Sequence, residues 1–344
     1  MNFTTFFDKN YLSRGLILFD SLKEQNIDFK FFVLCLDQET FDFLNQFKQN
    51  NPQVETLTLN DLEEHDPALL ICKNNRSLVE YYFTLSPCLP LFLLEKYQLN
   101  HICSLDADML FLSSPQPIFD YLNDYSIIIT PHKFSKETAK DIIYGVYNVS
   151  FQIFKNNEIG ISCLKKWKEQ CMDWCKDELD EVNQRFADQL YLNDWPKLYP
   201  NQVKVLDDEV SGLAPWNINN YTIENHSGIF YSNNKKIIFY HFHHFKIIES
   251  HWAINGFYLY GVKSQQALVE LYEKYWNLID SYTQKFNFSV GISNRKDYQK
   301  KKYKILDEAK TIFIKNEGRV VLKNYKNVPR FILKIFSKFY AKAN

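Results

Sequence analysis

Cys103-Ser104-Leu105-Asp106-Ala107-Asp108-Met109-Leu110-Phe111 is the stretch on which the reading of this chain turns. His101 to Leu105 reads as a buried apolar strand, and apolar residues resume from Met109 to Leu112. Two carboxylates two residues apart, where such a strand runs out, can face the same side of a sheet edge. Carboxylate oxygens are hard ligands suited to Mg2+ or Mn2+, ions that usually share their coordination with substrate phosphates. The stretch therefore predicts a seat for a metal–diphosphate. The plain alternative is an acidic surface loop, against which the apolar runs on both sides argue.

Working outward, strand and helix signals alternate. Met1–Phe7 and Phe29–Leu36 read as strands, with Tyr11, Leu12, Gly15, Leu16, Leu18, Phe19 and Leu22 at helical spacing between them. A helix follows Asp37, Val54–Leu59 alternates as a short strand, and Leu78–Tyr97 is helical but interrupted by Pro87 and Pro90. Beyond the acidic pair come strands at Ser126–Thr130 and Val146–Phe154. Helices are expected at about Gly160–Lys176 and Asn183–Trp195, and a last strand at Ile237–Tyr240 ends in a histidine cluster. This is the pattern of an α/β fold, a mostly parallel sheet flanked by helices, in which ligands bind at the carboxyl ends of the strands. There is no internal repeat, and nine glycines leave no phosphate loop of the P-loop or dinucleotide-binding kind.

With 344 residues, 46% hydrophobic and 24% charged, the chain has the make-up of a soluble globular protein of one large domain or two medium ones. No apolar run reaches the roughly 18 residues of a membrane span; the densest, Cys88–Leu94, contains Pro90. Asp8 arrives where a signal peptide would stay apolar. Seven cysteines without framework spacing fit a reducing cytosol. The formal charge of −1 conceals an asymmetry: from Arg295 onward the chain carries +11, leaving −12 on residues 1–294. Arg330, Lys334, Lys338 and Lys342 recur every four residues, with Ile332, Ile335, Phe336 and Phe339 filling much of the rest. That pattern predicts a helix lying on an anionic membrane surface through 330–344. No nucleic-acid-binding module is recognisable, so nucleic acid is the weaker partner.

Seven short stretches, in order, resemble one known group. They are Phe6-Phe-Asp8-Lys-Asn-Tyr11, Glu80-Tyr-Tyr-Phe-Thr-Leu-Ser-Pro87, Ser104-Leu-Asp-Ala-Asp-Met-Leu110, Tyr147-Asn-Val-Ser-Phe151, Phe186-Ala-Asp-Gln189, Ala214-Pro-Trp-Asn217 and Tyr240-His-Phe-His243. Together they resemble the GT-A-fold glycosyltransferases, specifically the family 8-like bacterial enzymes of surface-polysaccharide assembly. The resemblance covers about residues 1–250. It implies a GT-A catalytic domain over 1–250 and leaves 251–344 as a helical C-terminal extension with the basic membrane-surface segment.

The resemblance also implies roles. Asp8, with Thr5, stands where the nucleotide of a UDP-sugar is bound. Asp106, Asp108 and His241 correspond to the ligands of Mn2+ or Mg2+, with His243 as the alternative histidine. Lys246 lies near the family's pyrophosphate-binding lysine, Asn148 matches an asparagine near the donor sugar, and Asp188 and Gln189 match the pair beside the anomeric carbon in retaining members. Apart from the resemblance, Trp216 and Asn217, after Pro215, read equally as the lining of an acceptor pocket, since aromatic faces suit sugar rings, and as a packed loop. The sequence departs from the family pattern in three places. Leu89 replaces an expected arginine, for which Arg76 is the substitute. Val149-Ser150 replaces a small-residue–Gly pair, and His244 stands where a glycine is usual.

The expected protein is thus a cytoplasmic, peripherally membrane-bound enzyme moving a hexose from a UDP-sugar to a lipopolysaccharide, lipooligosaccharide or other lipid-linked glycan. Two alternatives stand beside it. A haloacid-dehalogenase-type phosphatase would use Asp106 as nucleophile, but Leu110 replaces its usual Thr or Val. An inactive sugar-nucleotide-binding or membrane scaffold protein would have no need of intact Asp106, Asp108, Asp188 and Gln189. A zinc site at His241, His243, His244 and His251 has neither cysteine pairs nor helical His spacing to support it. Cys171 and Cys175 are expected to pack in the core.

Overall fold

A computed structural model describes residues 1–249, 252–288, 311–316 and 319–324. The first half runs β1 (Asn2–Phe7), α1 (Leu12–Lys23), β2 (Lys30–Cys35), α2 (Gln38–Phe47), β3 (Val54–Thr58), α3 (Leu59–His65), α4 (Ala68–Asn75), α5 (Leu78–Tyr97), β4 (His101–Leu105) and β5 (Met109–Phe111). It continues through α6 (Gln116–Phe119), β6 (Ile127–Pro131), β7 (Tyr147–Lys155), α7 (Glu158–Asp173), α8 (Trp195–Leu198) and β8 (Val203–Val205). Seven of these strands form one sheet in the order β3-β2-β1-β4-β7-β6-β8. Every neighbouring pair is parallel except the two made by β7, which runs against β4 and β6.

The sheet is buried on both faces, and β2 shows how. Phe31, Val33 and Cys35 point into the core beneath α1, while Phe32 and Leu34 point into the opposite core with residues of α5 and α7. A strand buried on both sides reads as an unbroken apolar run, which is why Phe29–Leu36 was legible. The helices start on their own caps: Asp37 accepts from Thr40 N, Asn157 from Gly160 N, and Ser77 forms a capping box with Glu80. Contrary to the expected interruption, α5 runs unbroken through Pro87 and Pro90. Its segment from Pro87 to Leu94 is wholly buried, so tertiary packing overrides the proline penalty.

The helix expected at Asn183–Trp195 does not form as such. Asp180 accepts from Asn183 N and is paired with Arg185 at 2.8 Å, closing residues 180–185 into a loop. Gln184 and Ala187 take left-handed backbone angles, and only Leu190–Asp194 turns, as a 3-10 segment leading into α8. A local side-chain-to-backbone bond has outcompeted helix.

The remaining strands are β9 (Ile223–His226), β10 (Ile229–Ser232), β11 (Lys235–Lys236), β12 (Phe239–His241), β13 (Lys246–Glu249), β14 (Trp252–Ile254), β15 (Thr311–Asn316) and β16 (Arg319–Asn324), with α9 (Gln266–Phe286) before β15. Ile237–Tyr240 is therefore not the last strand. β13 pairs with β14 across residue 250, and β14, β15 and β16 continue that sheet, so the described part of the C-terminal extension is strand as well as helix. α9 packs beside α1, where the Tyr282 hydroxyl donates to Asp20. Phe242 stacks on Tyr275 of α9 at 3.8 Å between ring centroids, joining this region to the strand that carries His241. All seven cysteines are free and buried. No helix among the described residues is long and apolar enough to cross a membrane. The basic segment 330–344 lies outside the described residues.

Candidate active site

Asp106 begins where β4 ends, its N–H donating to Ser150 O of β7 at 3.0 Å. The chain then re-enters as β5, which pairs antiparallel with β12 in a two-stranded ribbon, His241 opposite Met109. Phe242 N donates to Asp108 O, and His241 N to Leu213 O. This register, rather than proximity in sequence, delivers His241 to the acidic pair. His241 Nε2 lies 3.0 Å from Asp108 Oδ1 and 3.6 Å from Asp106 Oδ2. One donor atom from each residue lies within 4.8 Å of the others.

The electrostatics follow from burial and mutual contact. Burial opposes ionisation of Asp108, but the charge and hydrogen bond of His241 outweigh it and hold the carboxyl well below its usual range. Asp106 goes the other way: burial raises its pKa to about 6 against the pull of His241, and the Asp108 charge adds to the rise. Burial disfavours an imidazolium at His241, yet Asp108 and then Asp106 more than offset it, so its pKa rises. Two carboxylates and one imidazole nitrogen are a donor set that fits a divalent cation, with open positions for phosphate oxygens. His243 is not part of this set. It lies ring to ring with His241 at 5.3 Å, and burial together with neighbouring imidazoles depresses its pKa well below the usual value.

Around this corner the structure gathers several buried polar groups. Asn148 Oδ1 accepts from Ser150 N and from Ser150 Oγ, leaving Nδ2 without a partner. Asp188 is 2% exposed; its Oδ2 has no partner, and burial raises its pKa to about 7, with Ser86 partly offsetting this and Asp106 adding to it. Gln189 Nε2 donates to Tyr144 O at 2.9 Å. The Trp216 ring stands 5.4 Å from that of His241, 5.3 Å from that of His243 and 5.3 Å from that of His132, and its Nε1 is unpartnered.

Two sequence-derived candidates are already engaged within the fold, and three more lie around it. Arg76 donates to Thr84 Oγ1 and to the carbonyls of Cys171 and Met172, tying α5 to the end of α7. Three of the five N–H donors of its guanidinium are used in that tie. Asn217 is fully buried: Nδ2 donates to His132 O and Gly212 O, and Oδ1 accepts from Ala214 N. It organises its loop and has no atom left for an acceptor. Gly212 supports the same loop at φ +69, where a Cβ would sit 2.4 Å from Thr130 Cγ2. Thr5 is buried on β1 with Oγ1 unpartnered. Asp8 accepts from Asn10 N and Nδ2; burial raises the pKa of neighbouring Tyr11, and the charges of Asp108, Asp106 and Asp8 add to the rise, so all three carboxylates act on that ring. Lys246 is exposed at the start of β13.

Sequence reasoning missed His132, which is 6% exposed, stacks on Phe134 at 4.5 Å and leaves Nδ1 unpartnered. Its only linear signal was its place just after the apolar run Ser126–Thr130.

Comparison with known proteins points the same way. A family model for nucleotide-diphospho-sugar transferases matches residues 100–246, from β4 to the first residue of β13. Two uncharacterized proteins of Bacillus subtilis (strain 168) are similar in sequence. YfnF is 30% identical over 255 residues, covering 72% of this chain and 82% of its own. YfnD is 27% identical over 279 residues, covering 80% and 87%. Among solved structures, the galactosyltransferase LgtC in complex with donor and acceptor sugar analogues aligns with a TM-score of 0.50 at 13% identity, covering 82% of this chain and 96% of that one. That last likeness is one of fold.

Proposed function

Because the chain belongs to the nucleotide-diphospho-sugar transferase family, we propose that it moves a hexose from a UDP-sugar to a lipopolysaccharide or other lipid-linked glycan, with retention of configuration, as a family 8-like enzyme. The observation that carries this reading is the convergence of Asp106, Asp108 and His241 at the end of β4 in a GT-A sheet. The phosphatase and scaffold alternatives give way to family membership.

In this reading the C1–O bond of the donor breaks with its electron pair leaving on the UDP oxygen, and the acceptor hydroxyl forms the new bond to C1 on the same face, its proton passing to that departing oxygen. Mn2+ or Mg2+ held by Asp106, Asp108 and His241 would supply positive charge against the departing diphosphate. Asp8 and Thr5 border the nucleotide, and the exposed Lys246 ammonium adds charge at the diphosphate. The free N–H of Asn148 and the unpartnered oxygen of Asp188 are a donor and an acceptor for sugar hydroxyls. Gln189, an amide fixed on Tyr144 O, is a poor nucleophile and positions rather than attacks. Trp216 supplies an aromatic edge for the acceptor.

The direct test is thermal melting with UDP, GDP, CMP and their sugars, each with Mn2+ or EDTA. A ligand that binds only the native state raises the melting temperature. A rise confined to uridine nucleotides and lost in EDTA is expected; no rise with any nucleotide would overturn the donor and metal assignment together. The basic segment 330–344 is proposed to hold the enzyme on the cytoplasmic face of the membrane. Its deletion should release the protein from anionic liposomes while sparing turnover on a soluble acceptor analogue, and unchanged co-sedimentation would sink the anchor.

A further inference from the structure

His241 faces its two carboxylates without the support that a metal-ligating imidazole usually has. With Nε2 turned to Asp108 and Asp106 and given to a metal, the ring proton sits on Nδ1. Such a proton ordinarily goes to a carboxylate or carbonyl oxygen, and that bond fixes the ring. His241 Nδ1 is buried with no partner among the described residues. A hydrogen bond on that side therefore does not set how the imidazole is turned.

Neighbouring rings bound it instead. The Trp216 indole stands edge to face with His241, at 5.4 Å between centroids and 84° between planes. His243 meets His241 at 5.3 Å and 73°, but is itself packed on Trp216 at 5.3 Å. The indole is 5% exposed, and its backbone is clamped: Ser135 N and Thr138 Oγ1 both donate to Trp216 O, at 3.1 and 2.6 Å. Asn217 ties the same loop to His132 O and Gly212 O. That loop also accepts the His241 N–H at Leu213 O, so it meets this histidine at its backbone and at its ring. Against the indole, 5.3 Å away, stands His132, which is stacked on Phe134 with 7° between planes. Burial lowers the His132 pKa to about 4, so at neutral pH this bracing ring is uncharged and sets no cation near a metal. Phe134, His132, Trp216 and His241 form one row of ring contacts, drawn from three segments far apart in the chain.

We infer that Trp216 is the positioning residue of the metal site: its indole, braced by His132, holds the His241 imidazole so that Nε2 faces Asp106 and Asp108. The inference rests on the proposed metal assignment. It is separate from the acceptor contact proposed for the same ring, because one is read in metal affinity and the other in acceptor KM. Packing takes the place that an outer hydrogen bond usually fills, and removal of the indole loosens both ring neighbours of His241 at once.

The test is Mn2+ titration of the full chain, with and without UDP, the free ion being read by its electron paramagnetic resonance signal. Melting in EDTA is measured alongside. Trp216→Leu is expected to weaken Mn2+ binding roughly tenfold, whereas Trp216→Phe, which keeps a ring, stays within about threefold of wild type. A purely structural role would lower the melting temperature in EDTA and leave the Mn2+ affinity alone. That result, or equal losses of affinity in the two variants, would overturn the inference. Should Trp216→Leu not fold, His132→Ala takes its place, with a loss of a few-fold expected and an unchanged affinity counting against the inference. A wild-type chain that binds no Mn2+ would remove the proposed metal seat and this inference with it; wild-type binding that Trp216→Leu does not move removes the inference alone.

Discussion

Two neighbouring groups of buried polar side chains handle their polarity differently. At the Asp106–Asp108–His241 corner the facing charges compensate one another, with His241 Nε2 within 3.6 Å of both carboxylates. At the neighbouring corner Asn148 Nδ2, Asp188 Oδ2, His132 Nδ1 and Trp216 Nε1 are buried with no protein partner. Each such group costs on the order of 1–3 kcal/mol when left unpaired. The first corner sets charge against charge, although His241 Nδ1 is unpartnered there as well, while the second holds polar atoms that no protein group meets.

The comparison breaks most visibly at Asp108. Asp108→Ala should abolish metal-dependent UDP binding and reduce turnover by roughly a thousandfold or more, with the fold intact. A variant that still shows a UDP–Mn2+ melting shift equal to wild type would mean that the charged corner is not the metal seat.

Asp188 probes the other corner. Asp188→Asn should reduce turnover by roughly a hundredfold, yet stabilise the protein at alkaline pH. The folded-state pKa of about 7 lies above the ordinary aspartate value. Between that value and 7 the native state keeps a proton that the unfolded state has lost, so stability falls as pH rises through this window. The asparagine variant lacks this loss. Its melting temperature should exceed wild type at pH 8 and converge with it near pH 4; a constant difference would show that burial does not set the Asp188 titration.

Asn217 separates structure from recognition. Its three internal hydrogen bonds predict a loss of about 1–3 kcal/mol in Asn217→Ala, measured by denaturant unfolding, with little change in acceptor KM. A large KM change at unaltered stability would restore it as an acceptor contact. The smallest effect is expected at Trp216→Phe, which keeps a ring near His132 and His241 but deletes the unpartnered N–H. Stability should be unchanged and acceptor KM altered by only a few-fold, read from initial rates.

Some of this architecture was already present in linear order. β1, β2, β4, β6 and β7 are apolar runs because the sheet is buried on both faces, and α1 and α7 carry helical periodicity over enough turns to stand out. Asp106 and Asp108 were legible because two acids after a buried strand violate the local apolar pattern. Arg76 and Asn217 show the limit of that signal: a polar side chain in a conspicuous place can be bonded internally, and sequence does not reveal where its partners lie.

By itself, then, the sequence determined the alternation that makes a parallel sheet and placed two carboxylates at the carboxyl end of one strand, because strand periodicity and burial are local properties. Tertiary structure decided which histidine meets them, since that depends on the β5–β12 register across 130 positions of chain. It also carried α5 through two prolines, refused the helix at 183–189, and brought His132 against Trp216. Each of those outcomes is set by packing and hydrogen bonds between residues far apart in sequence, whose energies no local pattern encodes.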